Sequence, residues 1–229
     1  MQANHEREPQ GGSQGEIVPP FPIPSRIPVF PLPNVVLFPR TYLPLHIFEP
    51  RYRDMVSDAA GSGQCIGMAL LKEGWEPDYN GHPPVFPMGC VSRLVSVQTL
   101  ADGRSNILLQ GLERFEIERE WHDKPYREAT IAVRRRGVET ALDPAVRQRL
   151  CILLESYLQS HDDMPTWQEF FHKEVSDEIF VNTLSTYLEC TPLEKQFLLE
   201  ADSLHQQARR LSDLIKFMTQ DQSSTKGWD

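Results

Sequence analysis

The sequence lacks any apolar run of about 18 residues, the length a membrane-spanning helix needs. Its first residues, MQANHEREPQGGSQGE, hold no basic segment followed by an apolar core, so no export signal is read there. The expectation is a soluble cytoplasmic protein with no membrane partner. Cysteine is sparse: Cys65, Cys90, Cys151 and Cys190 stand far apart and never at C-x-x-C spacing. That argues against a zinc ribbon and against a disulfide scaffold, and favours buried free thiols in a reducing compartment. There is no G-x-x-x-x-G-K-[ST] loop to cradle nucleotide phosphates, no H-E-x-x-H to hold zinc and no G-x-S-x-G nucleophile elbow. Basic charge is also short, with 23 Lys and Arg against 32 Asp and Glu and a net charge of −9. This balance disfavours nucleic acid as a partner. The one basic run, Arg134, Arg135 and Arg136, lies at the end of a predicted strand, where consecutive side chains alternate between faces and form no single comb.

Proline and strand-forming residues are what the chain has in quantity. PVFPLPNVVLFPRTYLPLHIFEPRY, residues 28 to 52, sets prolines 28, 31, 33, 39, 44 and 50 among Val, Leu, Ile and Phe. Proline fixes φ and removes a ladder donor, so this stretch reads as short, bent strands. Pro50, after Glu49 and before Arg51 and Tyr52, then starts a helix running to about Ala60, with Met55, Val56 and Ala59 on its apolar face and Gly61 and Gly63 at its end. Upstream, residues 1–25 have almost nothing to bury and read as a disordered tail, with Pro19 to Pro24 as an extended entry linker.

Further along, Cys65 to Leu71 is a buried strand, and EGWEPDYNGHPP, residues 73 to 84, a long surface loop with its tip at Asn80-Gly81. Val85 to Leu100 alternates as a strand, turns at Asp102-Gly103 and returns through Asn106 to Ile117, with Gly111 marking a bulge. Tyr126 to Arg136 supplies a further strand. Six strands and one early helix are enough to close a small barrel over residues 26–138. From Asp143, an N-cap followed by Pro144, the apolar period lengthens to that of helices. Leu150, Leu154 and Tyr157 line the first, Phe180 and Leu184 the second after Ser176, Phe197 and Leu198 the third behind a Thr191-x-x-Glu194 capping box, and Leu204 to Met218 the last. A helical bundle over 139–220, joined to the barrel near 137–142 and followed by a frayed tail at 221–229, completes the expected α+β fold. A loop through His161, Asp162, Asp163 and Pro165 separates its first two helices.

These residues resemble the N-terminal, substrate-recognition domain of the Lon protease family. PVFPLPNVVLFP, PLHIFEPRY at 44 to 52, Gly89-Cys90-Val91, Asp102-Gly103, GLERF at 111 to 115, Pro125-Tyr126 and EKQFLLEADSLHQQARRL at 194 to 211 carry the resemblance. It implies a PUA-like six-stranded pseudo-barrel followed by a helical bundle, binding unfolded or tagged polypeptides or a protease partner as an adaptor, regulator or chaperone-like module. The family's ATPase and Ser-Lys protease activities do not carry over, because no phosphate loop or protease domain lies in this sequence. A PUA-like RNA binder and a small-molecule sensor are the alternatives.

No catalytic group, metal or cofactor is expected. His46 and Glu49 form a single His-x-x-Glu pair, explained by a strand end and a helix N-terminus. Cys65 and Cys90 sit in apolar strands, where burial keeps a thiol inert; His82 and His122 lie in loops whose distance from either thiol the sequence does not fix, and Ser62, between two glycines, does not complete G-x-S-x-G. Phe38, Arg40 and Tyr42 on the Pro39 kink, Trp75 and Tyr79 on the long loop, and Trp121 are the aromatic and charged residues expected at a polypeptide-binding surface. Glu49, Arg51, Tyr52, Gly111 and Arg114 are expected to be structural, with the charged members paired to one another as a half-buried clamp.

Overall fold

A computed structural model describes residues 21–79, 81–136, 141–158 and 175–225. Residues 1–20 of the tail expected over 1–25, the loop tip at Asn80, most of the junction near 137–142, the loop through 161–165 and the last four residues lie outside these. The elements are β1 (Arg26–Leu32), β2 (Tyr42–Ile47), α1 (Pro50–Gly61), β3 (Cys65–Leu70), β4 (Met88–Thr99), β5 (Ser105–Trp121), β6 (Arg127–Arg134), α2 (Pro144–Leu158), α3 (Asp177–Tyr187), α4 (Pro192–Leu199) and α5 (Leu204–Thr225).

The six strands form one mixed sheet in the order β2-β5-β4-β3-β1-β6, and β5 also pairs with β6. The run β5-β4-β3-β1-β6 therefore closes into a ring, with β2 added along the first half of β5. Only β1 and β3 run parallel; the other pairs are antiparallel. β5 spans both parts because its ladders shift register opposite Val91/Ser92 and Leu94/Ser96 and again between Ile117 and Arg119. Such bulges bend a strand. Gly111 sits at the first of them, and a Cβ there would lie 2.1 Å from the Phe38 carbonyl oxygen, so no larger residue fits without backbone movement.

The strand prolines are placed where no ladder bond is lost. Gly111 N–H donates to Thr41 O at 2.9 Å, which makes Tyr42–Gln110 a non-hydrogen-bonded pair. Alternation makes Pro44–Leu108 another, so the missing donor of Pro44 faces the free edge of β2. In β1, Ile131 N–H donates to Ser25 O at 2.8 Å, which turns the nitrogens of Ile27 and Val29 toward β6; Pro28 falls between them, and Pro31 lies beyond the last β6 partner. A proline-rich stretch can thus be a sheet strand.

Phe115 fills the ring. A Cβ on Gly67 of β3 or Gly89 of β4 would clash with its ring, so these glycines are the space it occupies. Ile27, Val29, Ala69, Val91, Ala129 and Ile131 surround it. Residues 21–25 are part of the fold: Phe21 and Ile23 pack against this cluster, and the Arg93 guanidinium stands 5.0 Å from the Phe21 ring. A second cluster joins α1, through Tyr52, Met55, Val56 and Ala59, to Phe30, Met68, Leu94 and Leu109.

The helices start where their caps put them. Ala145 N–H donates to Asp143 Oδ1 at 2.8 Å, Ile179 N–H to Ser176 Oγ at 3.3 Å, and Thr191 and Glu194 form a complete capping box. Their core is not confined to the second half of the chain. Leu150, Leu154, Phe180, Leu184, Leu198, Leu211 and Ile215 share one buried cluster with Val36, Phe38 and Leu70. Among the described residues no helix is long and apolar enough to cross a membrane.

Candidate functional site

The Pro39 kink, expected at the surface, is instead where the ring meets the helices. Phe38 is 0% exposed and belongs to the helical core; Pro39 is buried beside it. Burial of an aromatic ring in the larger core outweighs its display on a bend. Arg40 alone stays exposed, at φ 64°, with ion pairs to Glu178 of α3 at 3.4 Å and Glu113 of β5 at 3.7 Å. Asn182 of α3, fully buried, donates from Nδ2 to Pro39 O at 2.9 Å and accepts from Gln207 Nε2 at 3.1 Å. Gln207 also donates to Ser185 Oγ at 2.9 Å and accepts from Arg136 Nη2. This network ties the kink, α3, α5 and the end of β6 together.

Arg114, the arginine of GLERF, does not pair with Glu49 or Arg51. It crosses from β5 to the far end of α4, where Nη1 donates to Leu199 O at 3.1 Å and Ala201 O at 2.5 Å. Helix C-termini carry unpaired carbonyls and partial negative charge, so a guanidinium is a fitting cap. Burial pulls its pKa down, opposed by Asp202 and Glu113. Gln196 adds a donor from α4 to Met88 O at 3.0 Å. These contacts tie ring and helices together along a seam at Pro39, Met88 and Leu199.

Glu49 and Arg51 do pair, at 3.0 Å, and Arg51 Nη1 donates to Tyr79 O at 3.1 Å. The Tyr79 hydroxyl donates to Glu49 Oε1. Trp75 and Tyr79 meet edge to face, 5.4 Å between centroids, and Trp75 packs down on the ring core. Both are half-buried, so the loop is fastened to the start of α1 rather than held out. Tyr52 is buried with its ring 4.3 Å from Phe30. Trp121 is half-buried too, donating from Nε1 to Thr130 Oγ1 at 3.0 Å, with Arg26 and Arg119 over its ring at 4.6 and 3.9 Å.

Of the other residues weighed from sequence, His82 and His122 come together, with 3.9 Å between ring centroids. His46 Nδ1 is 2.7 Å from Asn106 Oδ1, and Ser62 Oγ donates to Asp58 O at 2.7 Å. Burial pushes Cys65 and Cys190 up to about 11 and raises Cys90 and Cys151 as well. Of the arginine run, Arg134 pairs with Glu116 at 2.5 Å, while Arg136 turns inward to Gln207.

Of the six surface candidates only Tyr42, 50% exposed, presents a broad free aromatic face. Phe48, 61% exposed and just past the end of β2, is a second exposed aromatic, which the sequence reading passed over. Beyond it, α1 and the β4–β5 hairpin enclose a groove of about 630 Å³. Pro50, Val56 and Ala60 form its α1 wall, Val97 and Thr99 the opposite one, with Arg53 and Asp54 at its rim. Val97, 41% exposed, pairs across the hairpin with Ile107, which is 3% exposed.

Known proteins share this architecture. The chain resembles the solved Lon N-terminal domain protein from Xanthomonas campestris, with a TM-score of 0.61, 23% identity and coverage of 84% of this chain and 98% of that one. It also resembles the N-terminal domain of the Mycobacterium avium complex Lon protease, with a TM-score of 0.62, 16% identity and coverage of 86% and 98%. In sequence it is 26% identical over 192 residues to the Lon protease of Flavobacterium johnsoniae, spanning 81% of this chain but 23% of that protein. The Lon protease of Roseiflexus castenholzii is 32% identical over 130 residues, 56% of this chain and 15% of the relative. Residues 26–217 match the model of the ATP-dependent protease La (LON) substrate-binding domain, and the chain belongs to that family.

Proposed function

We propose that this protein is a non-catalytic polypeptide-binding module, a PUA-like ring followed by a helical bundle, that takes up unfolded or tagged segments. It acts as an adaptor, regulator or chaperone-like protein, alone or beside a protease partner. The observation that carries this reading is the family match over residues 26–217, which covers nearly all of the described fold.

The groove between α1 and the β4–β5 hairpin is the surface that suits the task best. The seam is filled by Phe38, Asn182 and Arg114, and the free edge of β2 loses its central donor to Pro44, which blunts strand addition. An extended segment would lay apolar side chains against Val56, Ala60 and Val97 and meet Phe48 and Tyr42 beyond. Fluorescence anisotropy with a labelled, permanently unfolded protein tests the reading. Binding at tens of micromolar or tighter, roughly the weak end of useful affinity, is expected. Val97→Asp should weaken it about tenfold, since burying a charge against an apolar segment is unfavourable. No binding at about 100 μM would refute the function, and binding unaffected by Val97→Asp would refute the location.

A further inference from the structure

A second concavity lies at the start of α1, away from the groove. It has a volume of about 250 Å³ and is walled by Pro31, Leu71 and Pro125 together with Tyr52, Arg51 and Arg127. The loop residues Gly81, His82 and Pro83 close one side. Its lining is mixed: prolines and a leucine supply apolar surface, and the Arg51 and Arg127 guanidinium groups bring donors beside Tyr79, His82 and Tyr126. Arg127 is 4% exposed; Nη2 donates to Pro83 O at 2.6 Å, and Nε lies 3.4 Å from Glu120 Oε2 without hydrogen-bond geometry. Both Nε and Nη1 are buried with no hydrogen-bond acceptor. Arg51 satisfies Nε on Glu49 and Nη1 on Tyr79 O, and its Nη2 is likewise buried without an acceptor. Tyr52 lines the same pocket, with the Arg51 guanidinium 4.6 Å over its ring, and its hydroxyl makes no hydrogen bond among the described residues. Lys124 stands at the rim, held by Asp58 at 2.7 Å.

Buried donors without acceptors are costly, and more so when charged. Two guanidinium groups in one pocket form the fork geometry that matches the two oxygens of a planar or tetrahedral oxyanion. The volume is several times the roughly 30 Å³ share of one water and below that of a drug-sized site, about 300 Å³ or more. It suits an oxyanion carried on a small organic group. Prolines and a leucine opposite the arginines supply the surface such a group would cover.

We propose that this pocket binds the carboxylate or phosphate of a small organic ligand, held by Arg127 and Arg51 Nη2 with the Tyr52 hydroxyl as a further donor. The same chemistry is presented by a free small acid and by the terminal carboxylate of a polypeptide. The site is separate from the groove and does not depend on it.

The test is titration of the ¹⁵N-labelled full chain with inorganic phosphate, with benzoate, and with a short peptide bearing either a free or an amidated C-terminus. Arginine side-chain N–H signals are read by NMR. Saturable shifts at Arg127 and Arg51, with a Kd of about 1 mM or tighter, are expected for at least one oxyanion and not for the amidated peptide. Response to benzoate or phosphate assigns a free acid; response to the free-terminus peptide alone assigns a chain end. Arg127→Met should abolish the response. Tyr52→Phe, which removes only a hydroxyl and should keep the native spectrum, should weaken it about three- to tenfold. No saturable shift with any probe up to about 10 mM, or undiminished binding in both variants, would overturn the proposal.

Discussion

Arg114 and Arg127 stand on adjacent strands of the same ring, both almost inaccessible, and both have their pKa lowered first by burial. Their surroundings differ. Arg114 reaches across a seam and finds two carbonyls that α4 and the residues after it cannot satisfy themselves. Arg127 finds one carbonyl and a carboxylate out of alignment, and its Nε and Nη1 are buried without an acceptor. Arg114 ends its Nη1 on backbone and fixes the fold, whereas Arg127 keeps unpaired donors beside a pocket; unpaired donors alone do not decide the matter, since Arg136 at the seam also has Nε and Nη1 buried without acceptors. The seam and the pocket thus separate two uses of one residue type.

The largest effect should follow from opening the seam. Arg114→Ala strands the carbonyls of Leu199 and Ala201 and is expected to cost about 2–4 kcal/mol, read as a lowered urea midpoint. A variant as stable as the parent would remove Arg114 from the account. Asn182→Ala breaks the link from Pro39 to Gln207 and is expected to cost about 1–3 kcal/mol; a double variant with Gln207→Ala should lose less than the two single losses together, because they share one network. Arg127→Met should lower stability by no more than about 1 kcal/mol, since removing an under-paired buried charge offsets the lost bond to Pro83. Equal losses at Arg114 and Arg127 would erase the distinction between the two regions.

The smallest effect is a pH dependence at the rim. Hydrogen bonds from Lys124 and then Tyr126 hold the Asp58 carboxyl below its ordinary value. Its contribution is therefore present above that ordinary value and lost as pH falls through it toward the folded value. Asp58→Asn should flatten the acid side of the stability profile by a small amount, consistent with an exposed pair.

Much of this was legible in the sequence. Strand alternation, the Asp102-Gly103 turn, the bulge at Gly111 and the caps at Asp143, Ser176 and Thr191 are local signals, and local signals survive folding. The family resemblance was likewise readable, because it rests on the order of motifs. What could not be read was which apolar residues serve which core. Phe38 on a proline kink has the local look of a surface residue, and its burial depends on helices about 140 positions later, a separation no periodicity reports. Asn182 and Gln207 are ordinary polar residues of amphipathic helices until the fold removes water from them. Arg51 and Arg127 carry no spacing signal, and only their convergence marks the pocket. Of the expected clamp, the Glu49–Arg51 pair is local and was foreseeable, whereas the partner of Arg114 lies 85 residues downstream.

If polypeptide segments enter the groove beside α1, as proposed, hydrogen–deuterium exchange of the full chain with and without a saturating unfolded protein will register it. Slowed exchange is expected in Pro50–Gly61 and in the hairpin from Val95 to Ser105, with Pro192–Leu199 and the rest of the seam unchanged. Protection confined to the helices of the second half, or none anywhere at saturation, would contradict it.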